Sequence, residues 1–290
     1  MSTTTETGVT SPNVAVEKED PWRYGWRYLR QTGPNGETHY EQVPLTEEDL
    51  LFPEEGDFVV HTKGHSNDCH YLNAVLGTWA AAREGFLVLS DHRVDWQYPG
   101  LRPLGPDVAV FGGLRETWDP WRGTFPVVDF GAHTLLVVEV TSPDTRANDL
   151  GVKVDFYHRV GVAFYAVVDR HMRPDGPDMR LFGYRNTPAG YEAAPLGPQG
   201  RLWLEPLRLW LAIENEAAVC YDEKGDKLKD YAELIQDIKT AEVRTVAADA
   251  QAAANADALQ AAEVRIKQLE AELHRLRGQS NGGPANPPVP

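Results

Sequence analysis

Thr134-Leu135-Leu136-Val137-Val138-Glu139-Val140, then Thr141-Ser142-Pro143-Asp144, a helix-like segment, and Ala163-Phe164-Tyr165-Ala166-Val167-Val168-Asp169 together decide the fold. The first run is dense in β-branched residues with no polar alternation, the pattern of a central strand covered on both faces. Ser142-Pro143 ends it, because proline brings no ladder donor and steers the preceding residue away from helix. Asn148 or Asp149 can cap the following helix, whose apolar positions Val152, Phe156 and Val160 recur every fourth residue, and Gly161 supplies the stop. Strand, helix and strand at this length make a parallel crossover unit. Functional residues of open α/β sheets gather at the carboxyl ends of such strands, where Glu139 and Asp169 stand. A carboxylate at the end of a buried strand is costly, so Glu139 needs a partner or a task.

On the N-terminal side, Pro103 to Phe111 places Asp107 at the start of another apolar strand, closed by Gly112-Gly113. Phe86–Leu89 and Arg93–Trp96 read as strands joined by a tight connection. A helix from Ser66, capped by Ser66 and Asp68, turns Tyr71, Leu72, Val75, Leu76 and Trp79 to one face. Thr46 caps a short helix, with Asp49 where a capping-box Glu would stand. Phe58 to His61 reads as a short strand, Arg115 to Val127 as a Trp-rich loop, and the aromatic cluster Trp22 to Tyr28 as packing at the start of the domain. Beyond Asp169 the chain alternates between antiparallel strands and Gly/Pro turns, and Leu202 to Ile213 reads as an edge extension of the core sheet.

From Tyr231 the period changes. Tyr231, Leu234, Ile238, Ala241, Thr245, Ala248, Ala252, Asn255, Leu259, Ala262, Ile266, Leu269, Leu273 and Leu276 keep an unbroken alternating 3,4 spacing, the seam of a coiled coil over 231–277. A solitary Ala-rich helix is the plainer alternative. The expected organisation is a Thr/Ser/Glu-rich disordered tail at 1–20, a globular domain at 21–230, the helix, and a Gly/Pro/Asn tail at 278–290.

The 290 residues carry a formal net charge of -15, which gives no long-range attraction for nucleic acid, so any such role must rest on a local patch. No apolar run approaches the length of a membrane span, and the first residues show no basic-then-apolar secretory pattern. Cys69 and Cys220 match no metal spacing and read as reduced thiols of a cytoplasmic protein. Walker-type, Gly-x-Ser-x-Gly and His-Glu-x-x-His patterns are missing.

Asp107 and Glu139 each flank an apolar strand, and two carboxylates converging at adjacent strand ends form an oxygen-rich site for Mg²⁺ or Mn²⁺. The backbone carbonyl of Val140 could add a ligand. Lys153, near the start of the crossover helix, can reach back to orient a water or offset phosphate charge. Spacing alone leaves it equally open that Lys153 is a solvated lysine and Asp107 a turn residue.

Pro106-Asp107, Val138-Glu139-Val140-Thr141-Ser142-Pro143-Asp144-Thr145-Arg146, Asn148-Asp149-Leu150-Gly151-Val152-Lys153, Tyr157, Gly161-Val162 and Tyr165 to Asp169 together resemble the Uma2 (DUF820) family, over about Leu45 to Ile213. The resemblance implies the PD-(D/E)xK nuclease superfamily: a restriction-endonuclease-like α/β fold, a mixed sheet flanked by helices, followed here by the long C-terminal helix. It also implies Asp107 and Glu139 as metal-binding acids. Thr141 occupies the position of the usual lysine, and Lys153 fits the variant in which that lysine moves to the next helix. Asp57, in Gly56-Asp57-Phe58, stands nearest to the Glu that many members carry in a similar turn. His65 and His70 flank the following helix start, and His70 is a weaker candidate for touching phosphate; Arg146 is another, although both read more simply as structural. The implied function is metal-dependent endonucleolytic hydrolysis of DNA by a homodimer joined through the coiled coil. Two other readings are an inactive nuclease-like scaffold assembling through that helix, and a hydrolase of small phosphate compounds.

Overall fold

The computed structural model describes residues 20–173 and 175–280, and most of the two expected tails lies outside the described residues. The chain divides between Leu228 and Lys229 into two compact units.

The first unit opens with a hairpin of β1 (Trp26–Thr32) and β2 (Thr38–Pro44). Next comes α1 (Glu47–Leu51), whose capping box joins Thr46 and Asp49 in both directions as their spacing predicts. Phe58 makes a single bridge to Trp26, and no strand forms over Phe58 to His61. Helix α2 (Lys63–Ala81) starts three residues earlier than Ser66, with Thr62 as N-cap; Ser66 and Asp68 therefore lie inside it.

The strands that follow are β3 (Leu87–Ser90), β4 (Arg93–Asp95), β5 (Val108–Gly112), β6 (Thr124–Pro126) and β7 (His133–Val140). Two short helices, α3 (Arg146–Asp149) and α4 (Val152–Arg159), lead into β8 (Phe164–Arg173), β9 (Gly176–Thr187) and β10 (Gly190–Ala193). The large sheet has the order β10-β9-β8-β7-β5-β3, with β7 and β8 parallel and the other pairs antiparallel. This is the expected mixed α/β architecture, built on the predicted crossover unit. Val108 lies opposite Val138, which sets the start of β5 beside the end of β7.

Alternation along β7 divides the core. Leu136, Val138 and Val140 face α2, whereas Val137 faces the layer that contains Trp96, Phe125, Tyr157 and Tyr165. Burying each of these β7 side chains contributes about 1.5–3 kcal/mol. The segment from Leu202 does not extend the large sheet. β11 (Leu202–Leu204), β12 (Leu209–Glu214) and β13 (Ala217–Tyr221) form their own sheet, whose leucines cover the α2 side of the core. Leu202, Leu204 and Leu211 are fully buried there, on the face that this sheet turns to the core. The Trp-rich loop contains β6 and buries Trp118 against Phe125, leaving Trp121 93% exposed.

The second unit is helix α5 (Tyr231–Ser280). Among the described residues no helix is long and apolar enough to cross a membrane.

Candidate active site

Glu139 is the last residue but one of β7 and, by alternation, points away from α2 into the layer below α4. The break between α3 and α4 decides what meets it there. At Gly151 a Cβ would stand 2.6 Å from the carbonyl oxygen of Ala147, so only glycine allows this tight corner. From it α4 sets off with Lys153 and Tyr157 buried, one turn apart on one face, in line with Asp149 in α3. The inward face is thus the polar row Asp149, Lys153 and Tyr157; Val152, taken from periodicity as apolar and inward, is 37% exposed. Asn148 and Asp149 do not cap the helix that carries Val152 and Phe156: they lie inside α3, and the N-cap of α4 is Gly151.

Lys153 Nζ lies 3.0 Å from Glu139 Oε1 and 2.8 Å from Asp149 Oδ1. Tyr157 Oη donates to Glu139 Oε1 at 2.6 Å. Asp107, just before β5, accepts from the Val140 N–H at 2.7 Å, and its own N–H reaches Glu139 Oε2 at 3.4 Å. In a strand the N–H and C=O of one residue point to the same side, so the Val140 carbonyl is directed to the Asp107 side, as the Thr141 N–H, donated to Val168, is directed to the other. His65, on α2, brings Nε2 to 3.3 Å from Asp107 Oδ2, and His61 stacks on its ring at 4.3 Å.

Asp107 retains 14% side-chain exposure, against 1% for Glu139 and 5% for Lys153. It is therefore the most open member of the group. A cavity of about 520 Å³ reaches Asp107, Glu139, Lys153, His65, Asp91 and Asp57.

Charge in this site is unbalanced. Burial pushes the Glu139 carboxyl well up, and the nearby Asp107 and Asp149 add to that against the pull of Lys153. Burial also raises Asp149 and Asp91. Against burial, the hydrogen bond and charge of His65 hold Asp107 below the usual carboxylate range. Burial works against the Lys153 proton, but Asp149, Glu139 and Asp107 outweigh it and hold the proton on. Two buried carboxylates, Glu139 and Asp149, and the more open Asp107 face the Lys153 ammonium and His65, a gathering of acids that suits a divalent cation. Asp107 and Glu139 supply hard oxygens. His65, Cys69 and Asp107 also bring ligand atoms within 4.8 Å of one another, a softer set that includes the same aspartate.

The remaining candidates sit elsewhere. Asp57 reaches the cavity, but its carboxylate is engaged by Arg27 at 2.9 and 3.0 Å and by the Glu54 N–H. Arg146 forms a two-pronged pair with Asp169, at 2.7 and 2.9 Å; Asp169 lies inside β8, which runs on to Arg173 through its pairing with β9, and does not close the strand as expected. Thr141, where the sequence resemblance leads one to expect a lysine, donates to Asp169 and accepts from the Arg170 N–H, so its side chain ties the end of β7 to β8. His70 is exposed on α2 and does not line the cavity; the histidine against Asp107 is His65. The signal for it was a polar residue on the buried stripe His65, Cys69, Leu72 and Leu76, which a helix starting at Ser66 excludes.

A family model described as "Uma2: Putative restriction endonuclease" matches residues 39–214, more than half of the chain. Among solved structures, the chain is similar to "a putative nuclease belonging to DUF820" from Anabaena variabilis ATCC 29413. The two share 17% identity and a TM-score of 0.37, over 54% of this chain and 84% of that one. Comparison with curated proteins gives no match.

Proposed function

Because the chain belongs to the Uma2 family, we propose that it is a metal-dependent endonuclease that hydrolyses phosphodiester bonds in DNA. The observation that carries this reading is the placement of Asp107 and Glu139 side by side at adjacent strand ends, open to one cavity, with the Lys153 ammonium 3.0 Å from Glu139. Asp107, Glu139 and the Val140 carbonyl would hold Mg²⁺ or Mn²⁺. When bound, such an ion supplies an acidified water and charge neutralisation at the phosphate. Lys153, held protonated, cannot take a proton from water; it orients Glu139 and stabilises negative charge developing on the phosphate. Tyr157 donates to the same Glu139 oxygen and helps to fix its rotamer. Pairing of two chains through α5 would join two such sites in one homodimer, as cutting both strands of a duplex requires.

Calorimetric titration with Mn²⁺ tests the site. The wild type should show saturable binding that Asp107→Asn weakens at least tenfold, about 1.4 kcal/mol. Unchanged binding in the variant would remove Asp107 from the site.

A second reading, an inactive nuclease-like scaffold, is favoured by the net charge of -15 and by the structural hydrogen bonds that occupy Thr141. A scaffold has no need to bind Mn²⁺ at these acids, so the same titration separates the two.

A further inference from the structure

Helix α5 presents a seam that no described residue of its own unit covers. Leu234, Ile238, Leu259, Ile266, Leu269, Leu273 and Leu276 are each 44–64% exposed. We infer that α5 pairs with α5 of a second copy as a parallel, in-register coiled coil, with orientation set by the charges beside the seam. The inference deepens the homodimer of the proposed function by giving its geometry.

With Tyr231, Ile238, Thr245, Ala252, Leu259, Ile266 and Leu273 at a, the d positions are Leu234, Ala241, Ala248, Asn255, Ala262, Leu269 and Leu276. The flanking e positions then include Glu242, Asp249, Glu263, Glu270 and Arg277, and the g positions Asp237, Arg244, Arg265 and Glu272. In a parallel coil each g residue meets the e residue five positions later on the second copy. Arg244 then meets Asp249, Arg265 meets Glu270, and Glu272 meets Arg277. Asp237 against Glu242 is the one opposed pair, and Asp237 is already ion-paired with Lys229.

An antiparallel coil of the same overlap sets e against e and g against g. Arg244 would face Arg265, Asp237 would face Glu272, and Glu242 would face Glu263, so its charged e and g pairs are all of like sign.

The polar seam positions agree with the parallel arrangement. Thr245 Oγ1 donates to the Ala241 carbonyl at 3.0 Å and is satisfied within the helix. Asn255 Oδ1 accepts from Gln251 Nε2 at 3.0 Å, which leaves its amide free to donate across the seam. In register, Asn255 meets Asn255; in the antiparallel coil it faces Ala252 with nothing to accept from it. Buried asparagine pairs are a device that fixes register at some expense in stability. Parallel pairing also sets the two Lys229 starts at one end of the coil, and with them the attachment points of both site-bearing units.

The test is pulsed electron paramagnetic resonance on the full-length chain spin-labelled through Ala271→Cys, an outward position on α5; native Cys69 and Cys220 are buried. A parallel dimer puts the labels across one coil diameter, roughly 20–30 Å apart, whereas the antiparallel dimer separates them by about 50 Å at 1.5 Å per residue. In addition, Arg265→Glu should weaken dimerisation by roughly tenfold, and adding Glu270→Arg should restore it. A long distance, a monomer at micromolar concentration, or tighter pairing in Arg265→Glu would overturn the inference. DNA cleavage by the same samples reports on the site separately, so either claim can fail without the other.

Discussion

Lys153 is the residue on which the site is balanced. Its ammonium separates two buried carboxylates, Glu139 and Asp149, and replacing it with Met keeps the volume but leaves both facing each other. Lys153→Met should therefore lower stability by about 3–5 kcal/mol, measured by urea denaturation; a loss below about 1 kcal/mol would mean that the carboxylates find other partners. The sequence pointed to Asp107, Glu139 and Lys153 through strand ends and a family motif. It did not point to Asp149 or Tyr157 as their neighbours, although Asp149, Lys153 and Tyr157 repeat every fourth residue. The row was hidden because the apolar set at 152, 156 and 160 competes with it in one short helix, and a partner sheet with its own buried acid decides which row turns inward. His65 escaped for a similar reason, since its helix starts earlier than its apolar residues suggest.

Among the elements, the corner between α3 and α4 governs the aim of Lys153. A methyl at Gly151 must push against the Ala147 carbonyl at 2.6 Å, so Gly151→Ala should cost about 1–3 kcal/mol and reduce activity beyond what residual unfolding explains. The loss is read from denaturation together with the rate of the folded fraction. At α1, the Asp49 carboxyl works against burial and is held low by hydrogen bonds from Thr46 and by Arg27. A depressed folded pKa gives stability that is present above the ordinary carboxylate value and lost as pH falls through the folded one. Asp49→Ala should thus cost about 1 kcal/mol at neutral pH, with the gap to wild type closing below about pH 4. Parallel denaturation curves at both pH values check this. The capping box and the crossover unit were legible because each is a local pattern of a few residues. The sheet of β11, β12 and β13 was not, since a Trp-Leu alternation states that one face is buried without stating against what.

At the scale of the whole molecule, a chain with a net charge of -15 is asked to approach another polyanion. In the proposed function that task falls to a cation held by Asp107 and Glu139 and to two sites carried by one dimer, since long-range steering works against it. Length and charge in the sequence raised this tension, and the buried acids at the floor of the cavity sharpen it. The most direct measurement is cleavage of plasmid and single-stranded DNA with Mn²⁺ by the wild type beside Glu139→Gln. Glutamine keeps an acceptor for Tyr157 Oη and Lys153 Nζ, so the fold survives while the charge is lost. Cleavage by the wild type should be abolished by chelation and reduced at least a hundredfold in the variant. Equal cleavage by both proteins, or none by the wild type on either substrate, would contradict the proposed function.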